Sequence, residues 1–76
     1  MPQNIHPTAI IGKNVKLGDN ISIGPYCIIN DDVEIGDNTE LKNNVTIESY
    51  SIIGKSNKIF PFAVIGGLPQ DLKFGG

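Results

Sequence analysis

The sequence predicts an all-β fold, a parallel β-helix with three short strands per coil and between three and four coils. Three observations carry that prediction. They are a six-residue apolar period, turn-forming residues at fixed places between the apolar positions, and a slower eighteen-residue recurrence at the corners.

The period begins at Ile5 and runs through Ile11, Leu17, Ile23, Ile29, Ile35, Leu41, Ile47, Ile53, Ile59 and Ile65 without insertion or gap. Such internal repetition outranks local propensity as evidence of fold. Four residues after each anchor stands a residue that is usually small: Ala9, Val15, Ile21, Cys27, Val33, Thr39, Val45, Ser51, Asn57, Ala63 and Pro69. This residue and the next anchor are two apart, so in a strand both face one side and the residue between them faces the other. A helix does not fit, because six residues do not match a 3.6-residue turn and β-branched residues abound.

Between strands lie the corners. Glycine follows the anchor at Gly12, Gly18, Gly24, Gly36, Gly54 and Gly66, where the backbone must bend. Next come turn-forming pairs: Lys13-Asn14, Asp19-Asn20, Asp31-Asp32, Asp37-Asn38 and Asn43-Asn44. Asn or Asp recurs at the second place, as expected for a residue in the left-handed conformation that these side chains tolerate. Each hexad is one strand and one corner.

The eighteen-residue recurrence sets the number of corners. Pro7, Pro25 and Pro61 occupy one corner column, completed by Asn43, and Gly18, Gly36 and Gly54 occupy another. Three hexads therefore close one coil of a triangular prism. Coils stacked about 4.8 Å apart would make it roughly 17 Å tall. The residue before each anchor points outward, and sorting by eighteen gives three faces. Ser22, Glu40 and Lys58 make a polar face; Lys16, Glu34, Ile52 and Gln70 make a mixed one. Ile10, Ile28, Thr46 and Val64 make an apolar column on the outside, which marks an association surface. Three prisms closing around it by cyclic symmetry would bury it.

Composition excludes several function classes. The 76 residues form one domain at most, and a net charge of −2 with evenly scattered charges offers no basic stripe for nucleic acid or anionic lipid. No apolar run reaches the length of a membrane span or a signal-peptide core, so the protein reads as cytoplasmic. The single cysteine, Cys27, has no internal disulfide partner; it sits at a small inward position and reads as a compact apolar residue. The single histidine, His6, occupies a corner and reads as structural. Tyr26 and Phe62 share one corner column and read as packing residues. Asp19, Asp31, Asp32 and Asp37 all occupy turn positions, which explains them without a metal.

The repeat spans residues 1–66, and the segment from residue 67 to 76 departs from it, with Asp71 where an anchor is due. An excursion from a rigid scaffold, flanked by Gly and Pro, is a common place for binding residues. A solvated connector is the plain alternative. The count ends inside this excursion, so further chain is expected beyond Gly76.

Ile5-His6-Pro7-Thr8-Ala9-Ile10, Ile23-Gly24-Pro25-Tyr26-Cys27-Ile28, Ile59-Phe60-Pro61-Phe62-Ala63-Val64-Ile65-Gly66 and Pro69-Gln70-Asp71-Leu72-Lys73-Phe74 resemble the N-terminal part of the UDP-N-acetylglucosamine O-acyltransferases of lipid A biosynthesis. The hexads are common to many acyltransferases, whereas Phe-Pro-Phe-Ala followed by Gln-Asp-Leu-Lys is more discriminating. Periodicity leaves the hand of the coil open, and parallel crossovers are normally right-handed; the resemblance implies a left-handed parallel β-helix. It also implies transfer of a 3-hydroxyacyl chain from acyl carrier protein to the 3-hydroxyl of UDP-N-acetylglucosamine, by homotrimers with active sites between prisms. No metal or organic cofactor is implied. A histidine general base would lie beyond residue 76, so this chain holds no catalytic residue and is expected to be inactive alone. By the same resemblance, Gln70, Asp71 and Lys73 bind the nucleotide sugar.

Two other classes fit the prism. An amino-sugar N-acyltransferase or acetyltransferase would share the coils, but the Gln-Asp-Leu-Lys segment argues against it. A non-enzymatic β-helix, such as an ice-binding or scaffold module, would present regular outward Thr ladders, which Ser22, Glu40 and Lys58 do not supply.

Overall fold

The computed structural model describes residues 3–66. Eleven two-residue strands follow one another at the predicted period. They are β1 (Asn4–Ile5), β2 (Ile10–Ile11), β3 (Lys16–Leu17), β4 (Ser22–Ile23), β5 (Ile28–Ile29), β6 (Glu34–Ile35), β7 (Glu40–Leu41), β8 (Thr46–Ile47), β9 (Ile52–Ile53), β10 (Lys58–Ile59) and β11 (Val64–Ile65). They sort into three parallel sheets, β1-β4-β7-β10, β2-β5-β8-β11 and β3-β6-β9. Every pairing is offset by eighteen residues, as in Asn4 with Ser22, Ile28 with Thr46 and Ile35 with Ile53. The three sheets are the three predicted faces.

The backbone explains why so short a strand suffices. Strand-flanking amides donate to the next coil, as Ile28 N–H does to the Val45 carbonyl at 2.9 Å and Gly36 N–H to that of Ile53 at 2.8 Å. The corners donate the other way. Asn14, Asn20, Tyr26, Asp32, Asn38, Asn44, Tyr50, Ser56 and Phe62 all have φ between 57° and 67°. From Asp32 onward, that conformation turns the amide of each back to the preceding coil. Asn38 N–H meets the Asp19 carbonyl at 2.9 Å, and Asn44 N–H meets that of Pro25 at 2.9 Å. Each coil is thus sewn to its neighbours along strands and corners alike.

The expectation of left-handed Asn and Asp at the second corner place is met at Asn14, Asn20, Asp32, Asn38 and Asn44. Side chains reinforce the columns: Asn20 Nδ2 donates to Asn38 Oδ1 at 2.9 Å, and Asp37 Oδ1 accepts from Asp19 N–H at 2.8 Å. At the aromatic members the backbone bond is longer or replaced. Tyr50 reaches Asp31 at 3.3 Å and Phe62 reaches Asn43 at 3.4 Å, while Tyr26 N–H goes to the Thr8 hydroxyl at 2.9 Å.

Inside, anchors and small residues stack as a dry column. Ile21, Ile23, Cys27, Ile29, Val33, Ile35, Leu41, Val45, Ile47 and Ile53 are buried, with Ile5, Ala9, Val15, Leu17, Ile59 and Ile65 packed on them at the ends. Burying each large aliphatic side chain contributes about 1.5–3 kcal/mol. The one buried hydroxyl among the described residues, on Thr39, donates to the Gly54 carbonyl at 3.0 Å, so its burial leaves no orphan.

Coil contact is close enough that some corners admit no side chain. A Cβ at Gly36 would lie 2.8 Å from the Gly54 carbonyl carbon and 2.9 Å from its oxygen, both backbone atoms that cannot swing aside. Gly36→Ala is therefore expected to destabilise the protein by about 1–3 kcal/mol, measured by chemical unfolding. An unchanged midpoint would mean that the coils can separate at little cost.

Candidate functional site

Since the interior is filled, any chemistry must sit on the outward residues, the corners or the excursion. The polar face carries Ser22, Glu40 and Lys58 in register. Its edge forms an open groove of about 420 Å³, with Ser22, Glu40, Lys42 and Tyr26 among its walls. Lys42 Nζ lies 2.9 Å from Glu40 Oε2. The hydrogen bond from Lys42 is the main reason the Glu40 carboxyl titrates below its ordinary range. Partial desolvation opposes this, and the charges of Lys42 and Lys58 add to it. The groove thus offers a paired carboxylate and ammonium beside an exposed ring.

The second face is the predicted apolar column. Ile10, Ile28, Thr46 and Val64 stand side by side in β2, β5, β8 and β11. Ile10 is 61%, Ile28 39% and Val64 66% exposed, and Thr46 is half-buried. The flanking corners add Tyr26, Phe62 and Tyr50, exposed by 63%, 75% and 75%. This corrects the expectation that Tyr26 and Phe62 are packing residues. Their left-handed corner position turns the rings away from the prism, so neither fills its core. On the third face Lys16 and Glu34 approach to 4.0 Å, and Ile52 is exposed.

The residues expected to be structural behave so. His6 is exposed, and its Nδ1 accepts from Thr8 N–H at 3.2 Å and lies 2.9 Å from Thr8 Oγ1. Because Thr8 Oγ1 already accepts from Tyr26 N–H, its own proton is directed at Nδ1, which assigns the imidazole proton to Nε2. Cys27 is fully buried and its thiol donates to the Lys42 carbonyl at 2.9 Å. Asp31 Oδ1 accepts from Lys13 N–H at 2.8 Å, and Asp32 accepts from Asn14 Nδ2 at 3.2 Å. Among the described residues no group of three or more His, Cys, Asp or Glu could hold a metal ion.

Gln70, Asp71 and Lys73 lie outside the described residues. Sequence reasoning passed over the Glu40–Lys42 pair, because a two-residue offset across a strand end carries no motif. It also passed over the left-handed conformation of Tyr26, Tyr50 and Phe62, although the six-residue count from Asn14 reaches all three.

Residues 14–49 match the family described as bacterial transferase hexapeptide (six repeats). Over 71 residues, 93% of this chain, it is 55% identical to an acyl-[acyl-carrier-protein]–UDP-N-acetylglucosamine O-acyltransferase of Rickettsia bellii and 54% identical to that of Rickettsia canadensis. A protein of the same name from Psychrobacter is 49% identical over 72 residues, 95% of this chain. The chain spans only about a quarter of these relatives, 25%, 27% and 28% of their lengths. A crystal structure of an Arabidopsis UDP-N-acetylglucosamine acyltransferase superposes with a TM-score of 0.79 at 32% identity, over 82% of this chain and 22% of that one. The coil is thereby the left-handed parallel β-helix that the sequence resemblance implied.

The Glu40–Lys42 pair makes a direct test of the groove's electrostatics. Glu40 is expected to titrate below its usual value of 4.5, and Lys42→Met should raise its midpoint, read from the carboxyl resonance by NMR. A depressed folded-state value means that the stabilisation is present above the unfolded value and is lost as pH falls through the folded one. A midpoint unmoved by Lys42→Met would break the assignment of cause.

Proposed function

We propose, from the premise that this chain belongs to the bacterial hexapeptide-repeat transferases, that it forms the first coils of a UDP-N-acetylglucosamine O-acyltransferase. The reaction would move a 3-hydroxyacyl chain from acyl carrier protein to the sugar 3-hydroxyl, the first step of lipid A biosynthesis, in the cytoplasm. The observation that carries this reading is 49–55% identity across almost the whole chain to proteins bearing that name. A fold match alone would support any of many transferases.

The chemistry asks for a general base to deprotonate the attacking hydroxyl and for donors to the thioester oxyanion. Neither comes from the described residues. Cys27 is buried, His6 is held at a corner by Thr8, and the carboxylates of Asp31, Asp32 and Asp37 serve corner hydrogen bonds. This chain's share is scaffold and substrate placement. Gln70, Asp71 and Lys73 would hold the nucleotide sugar, the carboxylate suiting hydroxyls and the ammonium suiting phosphate.

In the complete protein, supplied with 3-hydroxyacyl carrier protein and UDP-N-acetylglucosamine, ester formation at the 3-hydroxyl is the expected activity. Asp71→Ala and Lys73→Ala should each weaken sugar-dependent turnover by about 1.5–3 kcal/mol, the worth of a charged hydrogen bond. Acylation of an amino sugar instead would overturn the reading, and unchanged constants in both variants would reduce the segment to a connector.

The assembly is read from the apolar face. Ile10, Ile28, Thr46 and Val64 would meet their counterparts in a homotrimer, a contact that explains why one face alone is apolar along its whole height. Ile28 stands inside this column, so Ile28→Lys in the complete protein should shift sedimentation towards monomer. A trimer that persists unaltered would move the interface to another face.

A further inference from the structure

The hexad has a fixed conformational signature, and it breaks at one described residue. From Ile11 to Ile59, left-handed φ falls three residues after each anchor, at Asn14 after Ile11, Asn44 after Leu41 and Phe62 after Ile59. The residue directly after an anchor keeps a negative φ throughout that run, including Gly12, Gly18, Gly24, Gly36 and Gly54. Gly66, directly after the anchor Ile65, has φ +96° and is the one described glycine with positive φ. The backbone therefore leaves the corner path at Gly66, immediately before the segment in which the sequence count also fails.

The floor under Gly66 is rigid. Glu48 N–H donates to the Ile65 carbonyl at 2.9 Å, and Ser51 Oγ donates to the Glu48 carbonyl at 2.7 Å, which locks the corner between β8 and β9. A Cβ at Gly66 would collide with Ser51 Oγ, with Ser51 Cβ 3.1 Å and Glu48 Cβ 3.5 Å away. Both backbone conformation and space thus demand glycine here.

We propose that Gly66 is a positioning residue for nucleotide-sugar binding: its conformation, fixed against the Glu48–Ser51 corner, sets the direction in which residues 67–76 depart and so where Gln70, Asp71 and Lys73 are presented. This rests on the reading that those three residues bind the sugar. A side chain at residue 66 forces the backbone out of its φ or displaces Ser51, and either redirects the departing chain.

The test uses Gly66→Ala in the complete enzyme, with Gly36→Ala as a comparison that strains the prism far from the excursion. Gly66→Ala is expected to raise KM for UDP-N-acetylglucosamine roughly 10- to 100-fold, as misplacement of a binding group by about 1 Å does. KM for the acyl carrier substrate should stay near wild type, and amide exchange should change at residues 67–76. Gly36→Ala should lower the melting temperature without that selective rise. An unchanged sugar KM overturns the proposal, as does a loss shared equally by both substrates and tracking the melting temperature. If the wild-type enzyme does not use UDP-N-acetylglucosamine, the functional reading fails by itself. Exchange then decides on Gly66: a change confined to residues 67–76 supports the positioning role, and no change overturns it.

Discussion

The structure depends on one backbone device, the left-handed residue that closes each corner and turns its amide towards the coil before it. The conformation costs an ordinary L-residue roughly 1–2 kcal/mol. The hydrogen bond it makes, such as that from Asn38 to Asp19 at 2.9 Å, offsets that cost and fixes the coil-to-coil register. Register in turn stacks Ile5 on Ile23 and Ile29 on Ile47, so the dry interior follows from the corners as much as from its own hydrophobicity.

A scaffold of this kind separates structure from function by position. Inward places are confined to residues that fit the stack, which is why even Cys27 and Thr39 are buried there and satisfied by carbonyls. Outward places carry no such constraint. They can form a polar groove on one face and an apolar column on another without disturbing the coil. Aromatic corners are the exception to this economy. Tyr50 and Phe62 hold the same conformation as Asn38 with weaker backbone bonds of 3.3 and 3.4 Å, and their rings lie exposed.

Much of this was legible in the sequence because a period of six has few physical solutions. The strands, the eighteen-residue register, the sorting of Ile10, Ile28, Thr46 and Val64 onto one face, and the left-handed Asn and Asp could all be counted off. The misreading of Tyr26 and Phe62 has a physical origin: aromatic residues usually pack, and the corner rule that points them outward was recognised only from its Asn and Asp members. The Glu40–Lys42 pairing depends on side-chain reach at a strand end, which periodicity does not encode. Gly66 looked like every other corner glycine, since the sequence records the residue but not its φ. The sugar-binding assignment of Gln70, Asp71 and Lys73 came from resemblance, not from spacing.

The most direct measurement of the corner device compares Asn38→Gly with Asn38→Ala by chemical unfolding. Both variants lose the amide bond to Asn20, so their difference isolates the backbone at φ 62°. Elsewhere in a helix or strand glycine is the less stable of the two by about 0.5–1 kcal/mol. At this corner the order should invert, with the glycine variant more stable by roughly 1 kcal/mol. An alanine variant as stable as the glycine one, or more so, would contradict the account.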